Sequence, residues 1–211
     1  MALGSIVRRM FGRHERLISD LWRAMFINLD DLTRQLLDWS PNARNILEIG
    51  CGEGGVTERL AASYCDATIL GIDIADNIGR LYQGPTDRVS FRKMTVQELA
   101  AEHPGAFDLI VMCDVMHHIP PALRNDILSA ARSLLAPSGK FIFKDWVRTL
   151  TPVHGAAFAA DRWLTGDDVQ FLSSEEAEKL LATAFDQSPA LAHARIKPWR
   201  NNFAVLLRPG E

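Results

Sequence analysis

Asn45-Ile46-Leu47-Glu48-Ile49-Gly50-Cys51-Gly52-Glu53-Gly54-Gly55 is a short apolar run that breaks into a glycine-rich turn. The run has the length and composition of a buried strand, and residues 56–64 after it read as a helix. Glycines at a strand-to-helix turn permit positive φ and let a ligand approach the backbone with no Cβ in the way. The stretch therefore predicts a nucleoside-type pocket at the carboxyl end of a parallel strand.

The same texture repeats outward from this turn. Apolar runs ATILGID (67–73), VSFRKM (89–94), FDLIVM (107–112) and KFIFKD (140–145) alternate with helical stretches, the clearest at 122–136. Such alternation argues for β-α-β units and a parallel sheet. Later, Ser173-Ser174-Glu175-Glu176 has the form of a capping box opening a helix to about Phe185. Extended segments near 192–197 and 202–208 then suit a terminal antiparallel hairpin. Residues 146–172 carry Trp146, His154, Phe158, Arg162, Trp163 and Phe171 with weak periodicity, as expected of an insertion that covers a site.

Ahead of the glycine turn, residues 14–38 place Leu17, Leu21, Met25, Leu29, Leu32 and Leu36 three or four apart, which lines one helical face. The chain thus divides into a helical extension, residues 1–40, and a main domain, residues 41–211. Arg8, Arg9, Arg13 and Arg16 sit among Ile6, Val7, Met10 and Phe11. This segment is expected to be a lid helix with solvated arginines; weak contact of residues 1–16 with an anionic membrane surface is the alternative.

Composition narrows the function. The 211 residues are 47% hydrophobic and 23% charged, as in an ordinary globular chain, and the net charge of −3 gives no reason to hold a nucleic-acid backbone. Cys51, Cys65 and Cys113 are odd in number and lack metal-ligand spacing, so neither a disulfide framework nor a metal site is expected. No apolar run approaches the roughly 18 residues of a membrane span, and a cytoplasmic location is expected.

Asp73 ends the second apolar run, where a carboxylate can accept hydrogens from both hydroxyls of a ribose. A glycine turn with a downstream acid also suits nicotinamide-dependent oxidoreductases. Three details favour S-adenosylmethionine: the turn GCGEGG departs from G-x-G-x-x-G, Glu48 precedes it by two residues, and Glu53 stands at the helix entry. An acid there is poor for a pyrophosphate, and S-adenosylmethionine has no phosphate to repel.

Over residues 44–145 the ordered motifs LEIGCGEGG, GID, FDLIVMCDVMHHIP and Leu134-Leu135-Ala136-Pro137-Ser138-Gly139-Lys140 resemble those of class I S-adenosylmethionine-dependent methyltransferases. The resemblance implies an α/β, Rossmann-like three-layer sandwich with a seven-stranded, mostly parallel sheet and an antiparallel C-terminal strand. It implies that Glu48, Gly50, Cys51 and Gly52 surround the methionine moiety, and that Asp73 with Ile74 meets the ribose. Cys113 with Asp114 would lie near the carboxypropyl arm or the substrate mouth. Where relatives often place an acid for the adenine amino group, this chain has Met94-Thr95-Val96, so adenine recognition is expected from a backbone amide or from Thr95.

A sulfonium methyl is already electrophilic, so the protein needs mainly to align a nucleophile and to remove a proton where the acceptor demands it. Asp114, Met116, His117, His118, Asp145 and Trp146 fall at the carboxyl edge of strands four and five, and His118, ahead of His117, is the candidate base. His154 and Asp161 are rivals. Arg162, Trp163, Met25 and His154 are expected on the acceptor, and the aromatic residues Trp22, Phe26 and Phe158 suit an apolar one. The expected reaction is O-methylation of a small phenolic, carboxylate or prenylated metabolite, ahead of N- or C-methylation. Metal-assisted catechol methylation would want an acidic cluster, for which Asp114 and Asp145 alone are thin.

Overall fold

The computed structural model describes residues 16, 21, 24–149, 151, 154–155 and 169–209. Arg8, Arg9, Arg13, Leu17, Trp22, Phe158, Asp161, Arg162 and Trp163, with the roles expected of them, lie outside the described residues.

The elements run α1 (Leu29–Trp39), β1 (Asn45–Ile49), α2 (Gly55–Ser63), β2 (Thr68–Asp73), β3 (Val89–Lys93), α3 (Val96–Glu102), β4 (Phe107–Cys113), a 3-10 turn (Met116–His118), α4 (Pro121–Ser133), β5 (Leu135–Trp146), α5 (Ser174–Ala184), β6 (Ala192–Arg195) and β7 (Asn202–Leu207). Seven strands form one sheet in the order β3-β2-β1-β4-β5-β7-β6. The first five are parallel; β7 runs antiparallel to both β5 and β6.

Both faces of the sheet are covered, which is why its strands read as near-continuous apolar runs. Leu47, Ile110 and Phe143 pack toward Leu99 of α3, Leu128 of α4 and Leu181 of α5. Ile46, Leu109 and Ile142 pack toward Leu32 and Leu36 of α1 and Leu60 of α2. Strand order reverses between β1 and β4, and the crevice at the carboxyl ends of such a switch point is where ligands bind in open α/β sheets.

Two elements differ from the sequence reading. The helical pattern over 14–38 is interrupted at Ile27 and Asn28: Asn28 is extended, and its side chain caps α1 by accepting the Asp31 amide at 2.9 Å. Its own amide donates to the Lys197 carbonyl at 2.7 Å, and the Asn202 side chain donates to the Phe26 carbonyl at 2.6 Å, tying this corner to the β6–β7 hairpin. Strand β5 begins at Leu135 rather than Lys140. The Ala136–Gly139 turn lies within it as an irregularity, where pairing with β4 jumps from Phe107–Leu135 to Leu109–Lys140. Among the described residues no helix is long and apolar enough to cross a membrane.

Candidate active site

Gly50 and Gly52 both have positive φ, +77° and +49°. A Cβ on Gly50 would collide with the Val115 side chain, so that glycine lets the β4 loop close against the turn. A Cβ on Gly52 would meet nothing within 4 Å. Its open side faces the space a ligand can take, and its amide donates to Asp73 Oδ2 at 2.8 Å. Asp73 Oδ1 accepts the Ala75 amide at 2.9 Å. With one hydrogen bond on each oxygen, the carboxylate keeps lone pairs for a vicinal diol. Ile74 beside it is 72% exposed, an apolar face next to the carboxylate. Glu48 is buried and accepts the Thr57 hydroxyl at 2.5 Å, which braces the start of α2 against β1.

Thr95 is placed differently from its expected role. It caps α3, and both its amide and its hydroxyl donate to Glu98, at 2.7 and 2.8 Å, in a reciprocal capping box. The Val96 amide follows in the first turn of α3, where backbone N–H groups have no intrahelical acceptor. Burial, reinforced by Glu48 and Asp73, pushes the Cys51 thiol well above its ordinary range. Burial with Asp114 does the same for Cys113, so both are neutral packing groups. These residues fit S-adenosylmethionine: a glycine cradle, a diol-accepting carboxylate, an exposed aliphatic face and no cationic phosphate clamp.

On the other side of the switch point, parallel register sets Cys113 beside Lys144 and thus brings the residues that follow together. Asp114 adopts φ 55°, a left-handed conformation that Asp tolerates better than most side chains. Both its oxygens accept from Lys144 Nζ, at 2.7 and 2.6 Å, and the lysine side chain is 1% exposed. His117 Nδ1 lies 2.5 Å from Asp145 Oδ1, with both side chains buried. The His117 amide donates to Asp145 Oδ2 at 3.2 Å, and the Trp146 amide donates to Oδ1 at 2.7 Å. Burial raises the Asp145 carboxyl, but the charge and hydrogen bond of His117, with Lys144 and the Trp146 amide, outweigh it and hold the group below the usual carboxylate range.

His118 is exposed and lies 4.1 Å, ring to ring, from His117, and of the two it is His117 that Asp145 holds. Asp114, His117 and Asp145 bring ligand-type atoms within 4.8 Å of one another, a denser cluster than sequence suggested. Lys144 supplies the counter-charge to Asp114, and His117 hydrogen-bonds Asp145.

The roof over this edge is aromatic. Trp146, Val169 and Phe171 form a small cluster against which Phe26 packs, edge-on to Trp146 at 5.8 Å. Phe171 stacks on His117 at 4.9 Å, and the Gln170 amide donates to the His117 carbonyl at 2.8 Å. The N-terminal extension and the 146–172 segment thus meet over β5. His154 enters through Trp146, whose Nε1–H donates to His154 Nδ1 at 3.1 Å. Burial and then Arg148 pull its imidazole below the ordinary histidine value. Met25 is 59% exposed, and its carbonyl accepts from Trp199 Nε1 at 2.7 Å, placing it over the hairpin end. Sequence reasoning gave no role to Lys144, Arg124 or Gln170. A lysine inside the apolar run KFIFKD signals a buried charge; nothing near Arg124 or Gln170 in sequence marks either.

A family model described as a methyltransferase domain matches residues 21–195. A ubiquinone biosynthesis O-methyltransferase of Xanthomonas campestris is 32% identical over 171 residues, 76% of this chain and 70% of that protein. Among solved structures, human N-acetylserotonin methyltransferase in complex with SAM superposes with a TM-score of 0.71 at 16% identity over 93% of this chain. The chain spans only 56% of that protein's length. A Burkholderia thailandensis 1,6-didemethyltoxoflavin-N1-methyltransferase with bound S-adenosylhomocysteine superposes at 0.68 and 17% identity, over 98% of this chain and 88% of that one. With the ordered motifs, the switch-point crevice and these matches, the chain belongs to the methyltransferase domain family, in its class I, S-adenosylmethionine-dependent branch.

Proposed function

We propose that the protein methylates an oxygen of a small phenolic or prenylated acceptor, with His117 taking the hydroxyl proton and Asp145 orienting its ring. The observation that carries this reading is the buried His117–Asp145 pair at the carboxyl edge of β4 and β5. Its likeness to an O-methyltransferase of ubiquinone biosynthesis supports oxygen as the acceptor atom.

Bound S-adenosylmethionine supplies an electrophilic methyl carbon. Asp73 holds the ribose end, the Gly50–Gly52 turn borders the methionine end, and the Val96 amide with the Ile74 side chain receives the adenine. Asp145 accepts from Nδ1–H, which leaves Nε2 as the nitrogen that takes the acceptor's proton. A carboxylate behind the ring also stabilises the imidazolium that results. Phe171 and Trp146 shield this proton transfer from water, which strengthens the pair.

Incubation with labelled S-adenosylmethionine and a panel of phenols and catechols is expected to yield a methyl ether. Asp145→Asn should lower kcat by about 10²–10⁴-fold, the usual span of general acid–base catalysis, while leaving S-adenosylhomocysteine affinity unchanged. Full activity in both Asp145→Asn and His117→Ala would remove the base from this reading.

A further inference from the structure

Arg124 stands in the first turn of α4 and is only 5% exposed. Its Nε donates to the Ile119 carbonyl and its Nη2 to the Gln170 carbonyl, each at 2.9 Å. Both partners are neutral, and among the described residues no carboxylate closes an ion pair with it and Nη1 has no acceptor. A guanidinium does not deprotonate in proteins, and a charge this deeply placed calls for a counter-charge. Among the described residues, the acids whose charge Arg124 feels, Asp145 and Glu176, are committed elsewhere. Asp145 is held by His117 and the Trp146 amide; Glu176 accepts the Ser173 amide and both contacts from Arg148 Nη2 at 3.1 Å.

Arg124 lines a cleft of about 380 Å³, within the roughly 300–1,000 Å³ of small-molecule pockets. Arg148, His154, Phe171 and Glu176 line it too. Among the described lining residues two guanidiniums face one carboxylate, a net positive charge. Because Trp146 Nε1–H donates to His154 Nδ1, the imidazole proton sits on Nε2, and the ring adds a second donor. The cleft shares a wall with the proposed base: Phe171 stacks on His117, and the Gln170 peptide bonds to both His117 and Arg124.

We infer that this cleft is an anion subsite that takes the carboxylate of an aromatic acid acceptor, with Arg124 Nη1 as its charged donor and the acceptor's hydroxyl turned toward His117. The inference rests on the acceptor-side reading above and adds a substrate class to it. An arginine–carboxylate contact in a buried setting is charge-assisted and discriminates strongly against a neutral analogue.

The test compares 3,4-dihydroxybenzoate, its methyl ester and catechol by calorimetry on the full chain loaded with S-adenosylhomocysteine. The acid is expected to bind at least about tenfold more tightly than either neutral probe, the effect of one charge-assisted hydrogen bond. Arg124→Gln should level the three affinities and Arg124→Lys should keep part of the preference. Equal affinities for acid and ester in the unaltered protein, or no binding of the acid at millimolar concentration, overturn the inference whatever the variants do. An acid preference that persists in Arg124→Gln, with an unchanged melting temperature, overturns the assignment to Arg124. Acid-selective binding without methyl transfer to any probe would sink the O-methylation reading while leaving the subsite in place.

Discussion

At the scale of single residues the site is built from unequal pairs. Lys144 is sealed in the sheet, whereas the Asp114 side chain is 38% exposed. Removing the acid strands an ammonium in apolar surroundings; removing the lysine leaves a carboxylate that water can reach. Asp114→Ala is therefore expected to cost about 3 kcal/mol in urea unfolding, the low end of the range for breaking a buried pair. Lys144→Met should cost clearly less, and the reverse order would contradict this account. The placing of Asp73 beside the Gly50–Gly52 turn was legible from sequence because it is local, a turn and the strand end beside it. The His117–Asp145, Asp114–Lys144 and Arg124–Gln170 contacts were not. They join positions 28, 30 and 46 residues apart, and only the register of β4 on β5 and the return of the chain over the 3-10 turn bring them together. That is also why the sequence alone puts His118 ahead of His117.

Helices and strands obeyed their local signals closely where those signals were chemical rather than periodic. The Ser173–Glu176 capping box forms as its spacing requires, with Glu176 N donating to Ser173 Oγ at 3.1 Å and Ser173 N to Glu176 at 2.6 Å. Ser173→Ala should cost about 1 kcal/mol, which lowers the melting temperature by about 2–4 °C in a chain of this size. Differential scanning calorimetry reads this directly, and an unchanged transition would show that the cap is redundant. Periodicity alone misled at residues 14–38, where leucine spacing runs on through the break. The competing signal was present as Asn28 followed by Asp30 and Asp31, an N-cap with acids in the first turn.

For the whole molecule, the order of strands and helices was readable because alternation and right-handed crossovers leave few topologies. The roof was not, since Phe26, Trp146, Val169 and Phe171 come from three distant segments without shared periodicity. Global stability should carry the mark of the buried acid. The folded-state value of Asp145 is depressed below the ordinary aspartate value of 3.8, so the folded protein binds that proton less readily than the unfolded chain. Its contribution is thus fully present above pH 3.8 and is lost as pH falls through the folded value. Urea midpoints should show the native protein ahead of Asp145→Asn at neutral pH, with the gap shrinking below pH 3.8. A gap that widens on acidification would reverse the sign.

Gln170 holds this edge through its main chain. Its amide reaches the His117 carbonyl and its own carbonyl takes Arg124, so main chain, not side chain, spans the distance between His117 and the cleft. Alanine scanning would pass over position 170 in silence. Homologues are free to vary the side chain there, yet proline, which deletes the amide hydrogen, should be barred from it.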